Sequence, residues 1–189
     1  MKEVKEVGRL TAKIFSPEPA VPDERFVPIF HKWIRTRALG ELLLDVADYT
    51  HVPEGPGVVL VGHDTTFSLD RSNGQFGLLA QRRRPFAGDP IDGVVATLEA
   101  LLATADALER DASGAGLRID RARIRIEAND RLRTPNTDEG FLILRPVVAA
   151  AAQRLFADRE IVVERVENDR RERLAVEVVL RLADQNQSA

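Results

Sequence analysis

Asn73-Gly74 stands between two stretches of alternating apolar residues, 65–71 and 75–82. Both positions of an Asn-Gly pair tolerate positive φ, as a tight two-residue hairpin turn requires. Centring the turn there sets Phe67 opposite Ala80, Leu69 opposite Leu78 and Arg71 opposite Phe76. One face of the hairpin is then apolar on both strands. A slip of one residue would turn every one of these side chains to the other face, so the pattern pins the register. The chain must therefore build an antiparallel sheet with one buried face.

The remaining elements follow from the same kind of periodicity. Leu10, Ala12 and Ile14 alternate with Thr11, Lys13 and Phe15, which predicts a strand over 8–15. Beyond the proline-rich connector 16–22, Ile29, Phe30, Trp33 and Ile34 form one stripe at helical spacing. That helix is expected to take Pro28 as its first residue, where a missing N–H costs nothing, and to stop at Gly40. Arg37 falls within the stripe and His31 outside it. Leu42–Ala47 and Val58–His63 predict two strands around the turn-rich segment 49–57. Asp89 and Pro90 cap and open a long helix with a stripe from Ile91 to Leu108, and Thr97 and Thr104 point away from it. After a glycine-containing turn at 113–116, Ile124 and Ile126 alternate with Arg123, Arg125 and Glu127 in a further strand. Thr137 caps a helix running to about Phe156, which Pro146 is expected to kink or split in two. An alternative makes Phe141–Leu144 a strand. Glu160–Val166 and Leu174–Leu182 form a closing hairpin that turns at 167–170.

The resulting order, β-α-β-β-β-β-α-β-α-β-β, combines antiparallel hairpins with three one-sided helices. It predicts an α+β sandwich: a mainly antiparallel mixed sheet of about eight strands with the helices packed on it. A doubly wound fold needs regular β-α alternation, which the run of hairpins breaks. One domain over 1–189 is expected, with 1–7 and 183–189 as frayed ends.

Composition narrows the function classes. A chain of 189 residues buries roughly 70% of the surface its unfolded form exposes, enough for a core without disulfides or a structural metal. No cysteine is present, which excludes thiolate zinc sites, iron–sulfur clusters, disulfides and cysteine nucleophiles. The net charge of −3 and isoelectric point near 5.7, with neither half basic, argue against nucleic acid as a partner. No apolar run approaches the ~20 residues of a membrane span. The start, Met1 to Glu6, lacks the apolar stretch of a signal peptide, so a cytoplasmic protein without membrane contact is expected.

Nucleophile-elbow, Walker, dinucleotide, His-Glu-x-x-His and EF-hand motifs are missing. The constellation that holds chemistry is His51, His63, Asp45, Asp48 and Asp64. If 42–48 and 58–63 pair about Pro53, Asp45 faces Val61, with His63 diagonal to it on the same face beside Leu43. Such a dyad would orient His63 as a general base. With His51 carried over by the turn, His51, His63 and Asp45 would also suit a divalent metal. A hydrogen-bonded structural pair accounts for the same residues. Two further candidates are Arg82, Arg83 and Arg84, as a clasp for an anion or an acidic partner, and the loop Asn129, Asp130, Arg131, as a ligand-contacting segment between strand and helix.

The stretches Phe26–Ile34 and Asp45–Gly57 resemble those of an uncharacterised bacterial protein family of about this chain's length. The resemblance implies a bacterial single-domain protein; no activity, cofactor or catalytic residue comes with it. Two functional readings remain. The first is a non-enzymatic module that binds a protein partner or itself, with the Val- and Leu-rich strand 174–182 as an edge for self-association. The alternative is a metal-dependent or His/Asp acid–base hydrolase on the 42–64 hairpin, with a divalent metal as its cofactor.

Overall fold

The computed structural model describes residues 8–17, 22–53, 55–112 and 117–182. The ends expected to fray, the connector residues 18–21 and the glycine turn 113–116 lie outside the described residues. The Asn73-Gly74 hairpin takes its expected register: β4 (Thr65–Asp70) pairs with β5 (Gly77–Arg82), with Phe67 opposite Ala80 and Leu69 opposite Leu78. Asn73 and Gly74 both have positive φ, 58° and 68°. The ladder ends at Asp70 and Gly77, one rung short of Arg71–Phe76, where the Arg71 guanidinium lies 4.5 Å over the Phe76 ring.

That hairpin sits within one eight-stranded sheet. β1 (Leu10–Phe15) joins β5 on one side and β6 (Asp120–Ala128) on the other. Beyond these lie β8 (Ala175–Leu182) and β7 (Arg159–Arg165), and at the opposite end β3 (Val58–Gly62) and β2 (Leu43–Asp48). The order is β2-β3-β4-β5-β1-β6-β8-β7. Every neighbouring pair is antiparallel, so the sheet is not mixed. Its edges are β2 and β7. The strand expected as an edge, 174–182, is instead interior. Val176 and Val178 are buried on one face, and β7 completes the pairing of β8 on its outer side. β7 suits the edge better, because Arg159, Glu160, Glu164 and Arg165 place charge along it.

Three helices cover one face of the sheet, the one that carries Leu10, Ala12, Ile14, Phe67, Leu78, Ile124 and Val176. α1 (Phe26–Thr36) lies on β2 and β3, α2 (Pro90–Asp111) on β1, β4 and β5, and α3 (Asp138–Leu155) on β7 and β8. α1 starts at Phe26, so Pro28 is its third residue, where the N–H is still one of those without an intrahelical partner. It ends before Gly40: Arg37 adopts the left-handed conformation and Ala38 N–H donates to the Trp33 carbonyl. Arg37 is therefore the stop and not part of the buried stripe of Phe26, Phe30 and Trp33.

α2 has the expected cap, Asp89 accepting from Ile91 N–H at 2.9 Å. Thr97 and Thr104, expected to face away, are buried. Each hydroxyl donates to the carbonyl four residues earlier (2.8 and 2.7 Å), which satisfies it without solvent. α3 remains one helix through Pro146. That proline and Leu142, whose carbonyl loses a donor, both lie on the exposed side.

The end of α2 is tied to α1 by Asp111. Its carboxylate accepts from the Trp33 indole N–H at 2.6 Å and from Lys32 at 3.3 Å. The indole contact, followed by Lys32, holds the Asp111 carboxyl below the usual aspartate range. Trp33→Phe removes the donor and also some ring bulk from a fully buried position, a loss that does not depend on pH. The lost hydrogen bond should cost about 1.5–3 kcal/mol at neutral pH, as for one to a charged group. Because the folded-state pKa is depressed, that contribution is present above the ordinary aspartate value and fades as pH falls through the lowered one. The gap between the urea midpoints of the two proteins should narrow from pH 7 to acid; a gap that stays constant would contradict this role.

Candidate functional site

The 42–64 hairpin carries the residues singled out for chemistry, and a single bulge decides their geometry. Asp45 faces Val61 as expected, but Leu43 pairs with Gly62, leaving Leu44 as an extra residue. The bulge turns Leu43 into the helix-side core and leaves Asp45 exposed on the opposite face. Among the described residues, Asp45 accepts only from its neighbour's N–H, Val46, at 2.8 Å. His63 lies beyond the end of β3, with Nδ1 3.1 Å from Asp64 Oδ1 and both side chains nearly half exposed. His51 is exposed in the turn at the other end of the hairpin. There Asp48 accepts from the Thr50 hydroxyl and N–H (2.6 and 2.9 Å), bonds that hold its carboxyl below the ordinary range, with His51 adding to the effect. The fold thus brings His63 to Asp64 and His51 toward Asp48; it does not bring His51, His63 and Asp45 together. Among the described residues, no group of three His, Asp or Glu side chains is placed to hold a metal ion.

The arginine run is divided as well. Arg82 stacks 5.4 Å from the Phe86 ring, Arg83 donates to the Gly62 carbonyl at 2.8 Å, and Arg84 is exposed. In the 129–131 loop, Asp130 is occupied by the N–H groups of Leu132 and Arg133, which fold the turn. Asn129 and Arg131 face a cleft.

The most built polar surface is the helix-free face of the sheet. β1 is buried along its whole length. Leu10, Ala12 and Ile14 enter the helix-side core, so Thr11, Lys13 and Phe15 must be covered by something other than helices. Lys13 stands directly opposite Arg125 on β6, and Phe15 lies beside Gly77 on β5. Two like charges in register destabilise a sheet unless they are neutralised. Here each has its own carboxylate. Arg125 meets Glu177, its β8 rung partner, at 2.8 and 3.2 Å. Lys13 crosses β5 where Gly77 offers no side chain, and reaches Asp70 on β4 at 2.5 Å and the Gln75 carbonyl at 2.6 Å. A Cβ at residue 77 would collide with the Ile14 carbonyl and stand 3.1 Å from Lys13 Cε. Phe15 completes the covering, with the Arg123 guanidinium 4.0 Å over its ring.

The result is a polar trough of about 200 Å³, with Lys13 and Asp70 in its floor and Glu127 and Arg173 at its rim. Burial pushes the Glu127 carboxyl above the ordinary glutamate range. Arg173, 3.8 Å away, and Arg125 oppose the rise, while Asp70 adds to it. Sequence reasoning missed this site, although part of its signal was present. The alternation of residues 10–15, 65–70 and 123–127 assigns Lys13, Asp70 and Glu127 to the face opposite the core. That β1 would stand between β5 and β6, and so bring them together, is a matter of strand order.

No known protein-family model matches the chain, and no curated protein matches it.

Two substitutions probe the trough. Lys13→Met leaves the Asp70 carboxylate buried without its cation and should cost about 3–5 kcal/mol. The double variant Lys13→Met/Asp70→Asn should recover more than half of that loss in urea denaturation; additive losses would show that the two are not a pair. Glu127→Gln should stabilise the protein at pH 7. The wild type loses stability as pH rises from the ordinary glutamate value of 4.5 through the raised one. The advantage should therefore vanish below pH 4.5, and a gain that persists there would contradict the assignment.

Proposed function

We propose that the protein is a non-enzymatic binding module that recognises a protein partner through edge strand β2. The observation that carries this reading is the concentration of exposed apolar side chains on one unpaired edge. Leu42, Leu44, Tyr49 and Val52 lie on or beside β2 and are each at least 41% exposed. Among the described residues, the backbone of β2 has a neighbour on one side only. An edge of this kind accepts an extended segment as an added strand, with main-chain hydrogen bonds supplying affinity and alternate side chains supplying selectivity. The other edge, β7, is lined with charge and resists such addition.

The charges on β2 favour a partner over a second copy. Asp45 and Asp48 are both exposed. Three residues apart, they face opposite sides of the sheet, so antiparallel pairing of two β2 strands would add carboxylates to carboxylates on both faces, whereas a segment that sets lysine or arginine beside them would neutralise charge. His63 and Asp45, each occupied locally, are not poised for proton transfer at a common point.

The test is fluorescence anisotropy with extended peptides of alternating Val-Lys and Val-Glu sequence, with amide hydrogen exchange read in parallel. Val-Lys peptides should bind and slow exchange at 43–48, while Val-Glu peptides should not. Leu44→Glu should weaken binding about tenfold or more, equivalent to at least ~1.4 kcal/mol. Indifference to peptide charge, or full binding by the Leu44→Glu protein, would overturn the reading.

A further inference from the structure

The 129–136 loop and the β7–β8 turn face each other across a cleft of about 550 Å³ that adjoins the trough, sharing Glu127 and Arg173 with it. Its lining is rich in uncommitted donors. The Thr11 hydroxyl donates to Asn129 Oδ1 at 2.9 Å, and Asn129 Nδ2 is enclosed without a hydrogen-bond partner among the described residues. A buried amide donor left unpaired costs about 1–3 kcal/mol, a deficit that a ligand acceptor would remove once the side chain turns it to the cleft. Around it stand three arginines. Arg131 and Arg171 have no side-chain hydrogen bond or ion pair among the described residues, and Arg173 has only Glu127, at 3.8 Å.

The cleft is also held in shape before anything binds. The buried Asn136 joins its two walls, donating to Asn168 Oδ1 at 2.8 Å and to the Asp169 carbonyl at 3.0 Å, while its own Oδ1 accepts from Arg165. Asn168 in turn donates to the Arg173 carbonyl at 2.9 Å, setting the backbone from which that guanidinium projects. Fixed walls lower the ordering cost of binding, so fewer contacts suffice for affinity. Guanidinium groups match carboxylate and phosphate oxygens two at a time, and an enclosed amide N–H adds a directed donor.

We propose that this cleft binds a small molecule through a carboxylate or phosphate group, held by Arg131, Arg171, Arg173 and Asn129. Glu127 and Glu172, on the same lining, then receive hydroxyl or amine hydrogens of the ligand. This site is separate from the β2 edge and does not depend on it.

The test is calorimetric titration of the full chain with inorganic phosphate and, in a second arm, with citrate, each against sodium chloride of equal ionic strength. Saturable heat is expected in at least one arm; phosphate alone assigns the site to phosphate compounds, and citrate alone to carboxylates. Arg171→Ala and Asn129→Ala should each weaken binding at least about tenfold. Arg154→Ala, which breaks an exposed pair with Asp92 elsewhere, should leave it unchanged. Thermal melts of all variants without ligand verify folding. The proposal is overturned by absence of saturation in both arms, by equal heats with sodium chloride, or by retention of full affinity in folded Arg171→Ala and Asn129→Ala proteins.

Discussion

Lys13 reaching across Gly77 to Asp70 is the contact on which the rest of the sheet depends. The two parts of the chain meet where β1, paired with β5 of the N-terminal run of hairpins, also pairs with β6, the first strand of the C-terminal part. β1 is buried on both faces, yet the helices cover only one. An ammonium group in the middle of that uncovered face has to be neutralised within the sheet itself. The absence of a side chain at residue 77 is what lets it cross one strand to do so. Arg125 and Glu177 repeat the arrangement on the other side, so the centre of the sheet is closed by charge pairs where a second helical layer would otherwise be needed.

With β1 in place, the chain reads as two related halves. β1 leads through α1 into β2–β5 and returns beside itself with β5; β6 leads through α3 into β7–β8 and returns with β8. Each half folds its first strand, one helix and its hairpins in the same sense, and the two first strands pair antiparallel at the centre. α2 spans the junction and packs on β1, β4 and β5. The helix-free face is a consequence of this order, because every connecting helix falls on the same side.

Local chemistry made much of this legible from sequence. An Asn-Gly pair and two alternating stretches specify β4–β5 down to the residue, and Asp89-Pro90 marks the start of α2, because both signals act within a few residues. What escaped was non-local or depended on one residue. The Leu44 bulge rearranges the Asp45–His63 relation, and no residue type announces it. Thr97 and Thr104 look polar but satisfy themselves against their own helix. Strand order, which gathers Lys13, Asp70 and Glu127 and moves 174–182 from edge to interior, is decided by packing between distant segments. The candidate surfaces accordingly shifted from a histidine pair to an unpaired edge and a charged face.

The central claim is that β1 joins the halves into one sheet closed by charge on its helix-free side. Native-state amide hydrogen exchange tests it most directly, residue by residue. The account predicts that amides of β1, β5 and β6 exchange slowest, with one common opening free energy equal to that of global unfolding, while those of β2 and β7 exchange faster. Exchange of β1 as fast as the edges, or separate opening energies for β1–β5 and β6–β8, would contradict it.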